Sequence, residues 1–333
     1  MAITLGDVAA RAGVSRSAVS RTFTDGASVS QKTRLKVEKA AQELGYAPSA
    51  LASALSTGRT KLIGLVSNNF HNPIFLQVFD LFTRLLQERG LRPLLVNLSG
   101  EPDPQQSVRM LQQYSVDGVI IASSTLSPEF AQAFKDAGLP VVHSFGRWST
   151  SPNVNVVGID NVAGGRMAAM ALIERGYKDI AFLGGPETAT STFDRRKGFY
   201  ETISGQRHFK YTESFAEAYS FDAGRKEMQR LLLAGEPAEA YFCGDDVLSI
   251  GAISALQDAG LQVPDDVGII GLNNMQIAGW ENIALTTIHQ PVKEIIQSSI
   301  ELVVSVINEP DRHPEARVFP LRLIERATLG AQL

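Results

Sequence analysis

The sequence predicts an α/β protein: a small N-terminal three-helix unit with a hinge helix, followed by a two-lobed body of doubly wound parallel sheets. Three observations predict it. Residues 4–21 carry cap, apolar stripe, glycine turn and second cap at the spacing of a helix-turn-helix. From Lys61 onward, short β-branched runs alternate with amphipathic helical stretches, and the series occurs twice. Charge is divided as well: residues 1–60 hold eight Lys and Arg against four Asp and Glu, a net of +4 that leaves −8 for the rest of a chain whose total is −4. A basic head on an acidic body is what phosphate binding by one end requires.

Each head element follows from local chemistry. Thr4 caps a first helix with Asp7 reaching back in a capping box, and Leu5, Val8, Ala9 and Ala12 form its stripe. Gly13 makes the turn. Ser15 caps a second helix whose Ala18 and Val19 face inward while Arg16, Ser17, Ser20 and Arg21 project outward as groove-reading side chains. Short Ala/Val helix pairs with a glycine turn also occur in plain bundles, and the cap, turn, cap spacing is what argues against that reading. Ser30 caps a third helix over about residues 31–44, with Leu35, Val37, Ala40, Ala41 and Leu44 as its closing face and Gly45 as its stop. Pro48 biases Ala47 away from helix, and Ser49 caps a short stretch from Ala50 to Leu55. So short a helix does not hold itself together in water, so it is expected to order on DNA, with residues 57–60 as a flexible connection.

In the body, strands are expected at 62–66, 93–96, 119–122, 141–145 and 154–159, with helices near 73–88, 103–114 and 128–137. A second series has helices near 163–175, 195–203, 223–234 and 247–259 and strands at 180–184, 240–242 and 267–271. Ligands of such sheets lie beyond the carboxyl ends of the strands. A cleft between lobes would then be walled by Ser67, Asn68, Ser123, Ser124, Phe145, Gly184, Gly185, residues 244–246 and residues 272–274. Aromatic faces beside fixed polar groups suit a carbohydrate or another polar ring.

Composition narrows the class. With 333 residues, 44% hydrophobic and 20% charged, the chain can bury two or three cores. No run of eighteen apolar residues exists and the N-terminus carries no secretion signal, so the expectation is a cytoplasmic, nucleoid-associated protein without membrane contact. Cys243 is the only cysteine, which excludes an internal disulfide, and a buried structural thiol is the reading for it. His71, His143, His208, His289 and His313 are scattered, so no metal site is expected. Phosphate-loop, dinucleotide and nucleophile-elbow motifs are missing, which speaks against an enzyme and against a cofactor.

The runs Ser15–Arg21, Glu43–Ala52 and Leu285–Pro291 resemble the lactose-repressor (LacI/GalR) family, and the resemblance covers essentially the whole chain. It implies a transcriptional repressor in which a small molecule bound in a periplasmic-binding-protein-like body changes operator affinity. It also implies domains at 1–48 (helix-turn-helix), 49–60 (hinge) and 61–333 (effector binding and dimerisation). Three crossings would divide the body into a first lobe of about 61–161 and 292–319 and a second of about 162–291 and 320–333. For DNA, the motif and the resemblance together single out Thr4, Ser15, Arg16, Ser17, Ser20, Arg21, Ser30, Thr33, Arg34, Ser49, Ala52 and Leu55. Leu55 would wedge into the minor groove; covering the body of its own subunit is the alternative. For the effector, they single out Asn68, Ile74, Phe75, Ser123, Phe145, Arg195, Tyr219, Asp245 and Asn273. Phe75 lies in Asn72-Pro73-Ile74-Phe75, and Arg195 stands three residues before Gly198. Two positions depart from the family: Asp245 stands where an amide is usual, and Asn273 where an acid is. That pattern is read as an exchange that keeps one carboxylate for Arg195 and a ligand hydroxyl, or else as a mark of a different effector class. One head binds weakly and a two-fold pair reads a palindrome, so a homodimer on a pseudo-palindromic duplex is expected; with no terminal heptad segment after Ala327, a tetramer is not. A solute-binding protein shares the body but has no use for residues 1–60.

Overall fold

The computed structural model describes residues 3–24, 26–98, 103–205 and 208–331, without the side chains of residues 50–52 and 56. The chain separates into two compact units, Met1–Lys61 and Leu62–Leu333.

The first unit holds α1 (Leu5–Ala12), α2 (Arg16–Thr22), α3 (Gln31–Leu44) and α4 (Ala50–Thr57). Its starts are local: Thr4 and Asp7 close a capping box, Ser15 accepts from Ala18 N–H at 3.2 Å, and Ser30 from Thr33 N–H at 3.2 Å. Gly13 and Gly45 sit at φ 64° and 66°, the left-handed conformation that closes α1 and α3. Val8, Ala9, Val19, Val37, Ala40 and Ala41 make a small core, edged by the Phe23 and Tyr46 rings 5.9 Å apart. Leu35, expected in that core, is instead 61% exposed; Val37, Ala40 and Ala41 already fill the face of α3 that meets the core.

The second unit begins with β1 (Leu62–Ser67), α5 (Ile74–Glu88), β2 (Arg92–Asn97), α6 (Pro104–Gln113), β3 (Gly118–Ala122), α7 (Pro128–Asp136), β4 (Val141–Ser144) and β5 (Asn155–Ile159). It continues through α8 (Asn161–Ile173), β6 (Asp179–Gly184), α9 (Thr190–Ser204), β7 (Lys210–Phe215), α10 (Phe221–Ala234), β8 (Ala240–Cys243), α11 (Asp246–Asp258), β9 (Gly268–Asn273), a 3-10 turn (Gln276–Gly279) and β10 (Thr286–His289). It ends with α12 (Val292–Asn308), β11 (Ala316–Phe319) and β12 (Arg322–Ile324). Two six-stranded sheets result, in the orders β11-β5-β4-β3-β1-β2 and β12-β10-β9-β8-β6-β7. The chain therefore crosses between lobes after β5, β10 and β11. All pairings are parallel except β10 with β12, which run antiparallel at the edge of the second sheet. That departs from an all-parallel expectation: a three-residue strand entering at the end of the chain has no crossover helix to reverse it.

Central strands are buried on both faces, as β3 and β9 show throughout their length, and this is why they read as continuous apolar runs. Their carboxyl ends in both lobes meet one crevice. Helix α9, which carries Arg195, is seated by glycine: a Cβ on Gly198 would stand 1.9 Å from the Val162 carbonyl oxygen of α8, and one on Gly165 2.0 Å from the Arg195 carbonyl. We expect Gly198→Ala to force α8 and α9 apart and lower stability by at least about 1–3 kcal/mol in urea denaturation; an unchanged midpoint would show that the helices separate freely.

Candidate functional site

The basic head presents its expected DNA-facing groups in two ways. Arg16, Ser17, Ser20 and Arg21 are all exposed on α2. The Arg16 guanidinium lies over α1, where a Cβ on Gly6 would come within 2.8 Å of it. Other members of the set are already engaged within the head. Thr4, Ser15 and Ser30 accept the N–H bonds that start helices, the Ser17 hydroxyl lies 2.9 Å from that of Ser15, and the Thr33 hydroxyl 2.8 Å from that of Ser30. Arg34 donates from Nη1 to the Thr22 carbonyl at 3.0 Å, which ties α3 to the end of α2. Ser49 is exposed, and Leu55 is 91% exposed on α4. The Ala52 side chain lies outside the described residues.

Between the lobes, a cavity is lined by Asn69, Asn72, Ile74, Phe75, Val78, Ser124, Phe145, Arg195, Tyr219, Asp245, Asn273 and Gln290. Seven of the nine residues singled out for the effector lie on it. The other two do not. Asn68 donates to the Thr125 hydroxyl at 2.9 Å and accepts from the Ser123 hydroxyl at 2.8 Å, so the two knit the ends of β1 and β3 together. Their chain neighbours Asn69 and Ser124 face the cavity instead, since successive residues leaving a strand point to opposite sides. Sequence reasoning also passed over Val78 and Gln290. A helical step of four from Ile74 could have found Val78.

Arg195 is buried, 3% exposed. Its Nε donates to Asn161 Oδ1 at 2.8 Å and its Nη1 to the Gly244 carbonyl at 2.5 Å. No hydrogen bond joins Arg195 to Asp245. Asp245 is the N-cap of α11: Oδ1 accepts from Leu248 N–H at 2.9 Å, and Oδ2 accepts from Asn72 Nδ2 of the first lobe at 2.6 Å. Capping aims the carboxylate along the helix, so it reaches Arg195 through charge alone. Burial raises the Asp245 pKa, opposed by those bonds and by the Arg195 charge. Asn273, at φ 130°, accepts from Gln290 Nε2 at 2.6 Å and keeps its own NH2 group for the cavity. Tyr219 shares a 2.7 Å hydrogen bond with Thr192. Cys243 is buried, its thiol pushed up to about 12 by burial, which makes it unreactive.

Behind this wall, Asp246 is fully buried and accepts from the Met275 N–H at 2.7 Å and from the Thr287 hydroxyl. Burial pushes its carboxyl up to about 7 from 3.8. The folded protein thus keeps a proton that the unfolded chain releases near 3.8, and the stability this contributes is full below about pH 4 and lost as pH rises through about 7. We expect the thermal midpoint to fall across that window and Asp246→Asn to flatten the slope; an identical slope in the variant would assign it to other groups.

No helix among the described residues is long and apolar enough to cross a membrane. Residues 4–49 match the family model for bacterial regulatory proteins of the lacI family, and residues 169–329 match that for the periplasmic binding protein-like domain. The HTH-type transcriptional repressor PurR of Aliivibrio salmonicida is 30% identical over 322 residues, 96% of each chain. Among solved structures, the lac repressor dimer bound to operator and the anti-inducer ONPF is similar with a TM-score of 0.88 and 25% identity over 99% of this chain and 100% of that one. The transcriptional regulator CelR in complex with cellobiose is similar with a TM-score of 0.72 and 29% identity over 98% and 99%. Head, hinge and two-lobed cleft thus have their counterparts along the full length of known repressors, and the chain belongs to the lacI family of bacterial regulatory proteins: it is a DNA-binding transcriptional regulator controlled by a small molecule, not an enzyme.

Proposed function

We propose that this regulator is a homodimeric repressor, working in the cytoplasm on the nucleoid, that reads a pseudo-palindromic operator and is switched by a neutral, carbohydrate-like ligand held between its lobes. One observation carries the ligand class: the cavity sets the aromatic faces of Phe75, Phe145 and Tyr219 beside hydrogen-bonding groups contributed by both lobes. Arg195 Nη2 and Asn273 Nδ2 make no hydrogen bond among the described residues and serve as donors, while Asp245 and Gln290 Oε1 serve as acceptors. Hydroxyls satisfy both kinds. A phosphate or carboxylate placed here would face the Asp245 carboxylate. Cellobiose in the similar CelR complex supports the same class. The DNA contacts are assigned to the exposed face of α2 and to Leu55, with head at 1–48, hinge at 49–60 and body from 61 onward.

The second copy is assigned to the face where α5 and the 3-10 turn leave Leu76 79% and Trp280 53% exposed beside one groove; apolar surface of this kind marks an interface. The deciding experiment is a thermal-shift screen of the full chain against neutral sugars, polyols and sugar phosphates. A neutral sugar or polyol is expected to raise the midpoint, by about 2.7 kcal/mol of added stability at a hundredfold excess over Kd. A response confined to phosphorylated ligands would overturn the assignment of Asp245.

A further inference from the structure

Helix α9 starts without a side-chain cap, because Ala189 holds the N-cap position and offers no acceptor. The first N–H groups of a helix have no partner inside it. Here the other lobe supplies the partners: Thr190 N–H donates to the Thr125 carbonyl at 3.3 Å and Ser191 N–H to the Ser124 carbonyl at 3.2 Å. The Thr190 hydroxyl adds a bond to the Ser124 carbonyl at 3.0 Å. Four residues further along α9, Asp194 takes a two-pronged bond from Arg147 of the first lobe, Nε at 2.7 Å and Nη2 at 2.6 Å. Paired forks of this kind are the stronger class of charge-assisted hydrogen bond. The Arg147 and Asp194 side chains are 34% and 13% exposed, so water shields the pair only in part. Arg147 also stands 5.3 Å from the centre of the Phe193 ring.

We infer that Arg147 and the carbonyls of Ser124 and Thr125 form a latch that holds the two lobes closed without an effector, with Arg147 as a positioning residue for α9 and so for its Arg195. The Arg195 half of this statement rests on the effector reading given above; the closure half does not. Closure completes a helix start that is otherwise open, so opening the cleft uncovers two amide donors at once and breaks the ion pair beside them. The resting regulator accordingly presents a nearly finished cavity, and an effector enters during brief openings. Weakening the latch lowers the apparent effector affinity by the fraction of molecules that remain closed.

The start of α9 supplies its own reporter. Thr190 and Ser191 amides have no acceptor within the helix, so slow hydrogen exchange there comes from the lobe 1 carbonyls alone. The experiment is residue-resolved exchange on the effector-free, full-length protein, with Arg147→Gln and the charge-reversed pair Arg147→Asp with Asp194→Arg. We expect both amides to be protected in the wild type, protection to fall about five- to thirtyfold in Arg147→Gln, and the reversed pair to regain it, with the β3 amides unchanged throughout. Unprotected Thr190 and Ser191 in the wild type would overturn the latch. So would protection that survives Arg147→Gln, a reversed pair no better than the single variant, or loss of β3 protection alongside, which would make Arg147 a support of lobe 1. Because no effector is added, failure of every sugar in the ligand screen leaves this result standing, and failure of the latch leaves the screen standing.

Discussion

Arg195→Ala is expected to weaken effector binding at least tenfold and to leave operator binding intact. Arg195 brings five donors and no acceptor into the cavity, and two of its nitrogens are held by Asn161 and Gly244. Those bonds fix the plane of the guanidinium, so that a ligand oxygen at Nη2 would be met without further ordering. A hydrogen bond to a charged group contributes about 1.5–3 kcal/mol, so its loss weakens the effector roughly ten- to a hundredfold before any change in cavity shape is counted. Arg195→Lys keeps the charge but not the fork, and is expected to recover only a minor part. Effector titration by calorimetry gives the first quantity, and operator titration gives the second. Because the head is a separate compact unit, operator affinity measured without effector should match the wild type. Retained effector affinity in Arg195→Ala would remove Arg195 from the site. Asp245→Asn is the companion test: asparagine still caps α11, so a loss of affinity in that variant reports the carboxylate and not the helix.

What the sequence revealed, and what it hid, follows from how far apart the interacting groups lie. The starts of α1, α2 and α3 were legible because Thr4, Ser15 and Ser30 each bond an amide three residues ahead. The two-lobed α/β architecture was legible because strands buried on both faces leave uninterrupted apolar runs. Strand β7 was not, since Lys210-Tyr211-Thr212-Glu213-Ser214-Phe215 lies at a sheet edge and is polar on its open side. Neither were β11 and β12, which are four and three residues long and exist only because the chain recrosses between lobes. At the cleft, strand ends located the wall to within one residue: Asn69 lines it where Asn68 was expected, and of the two wall serines named, Ser124 lines it while Ser123, the one chosen for the effector, does not. Pairings across the lobes left no trace in spacing. Asn72 finds Asp245 across 173 positions and Arg147 finds Asp194 across 47, and only the folded chain shows that the acid at position 245 answers an amide from the other lobe rather than Arg195.

Leu55→Ala is expected to remove most of the DNA bend along with a large share of the affinity. Leu55 is an apolar side chain left 91% exposed on a helix of eight residues, a helix too short to persist on intrinsic propensity. Exposed leucine on a marginal element is explained when a partner buries it. In a minor groove, two such wedges from a two-fold pair would part the central base step, and unstacking costs a few kcal/mol per step that inserted apolar surface offsets. Alanine is too short to part the bases, so the duplex stays straighter and the contacts that the bend allows are lost. We expect operator affinity to fall by about 2–4 kcal/mol, roughly thirty- to a thousandfold, with the bend angle from fluorescence transfer across a doubly labelled operator falling in parallel. Arg16→Ala provides the contrast, since an arginine that reads a base edge in the major groove relaxes sequence preference by about 1–3 kcal/mol and leaves the bend in place. A full bend retained by Leu55→Ala would assign the side chain to the cover of its own subunit.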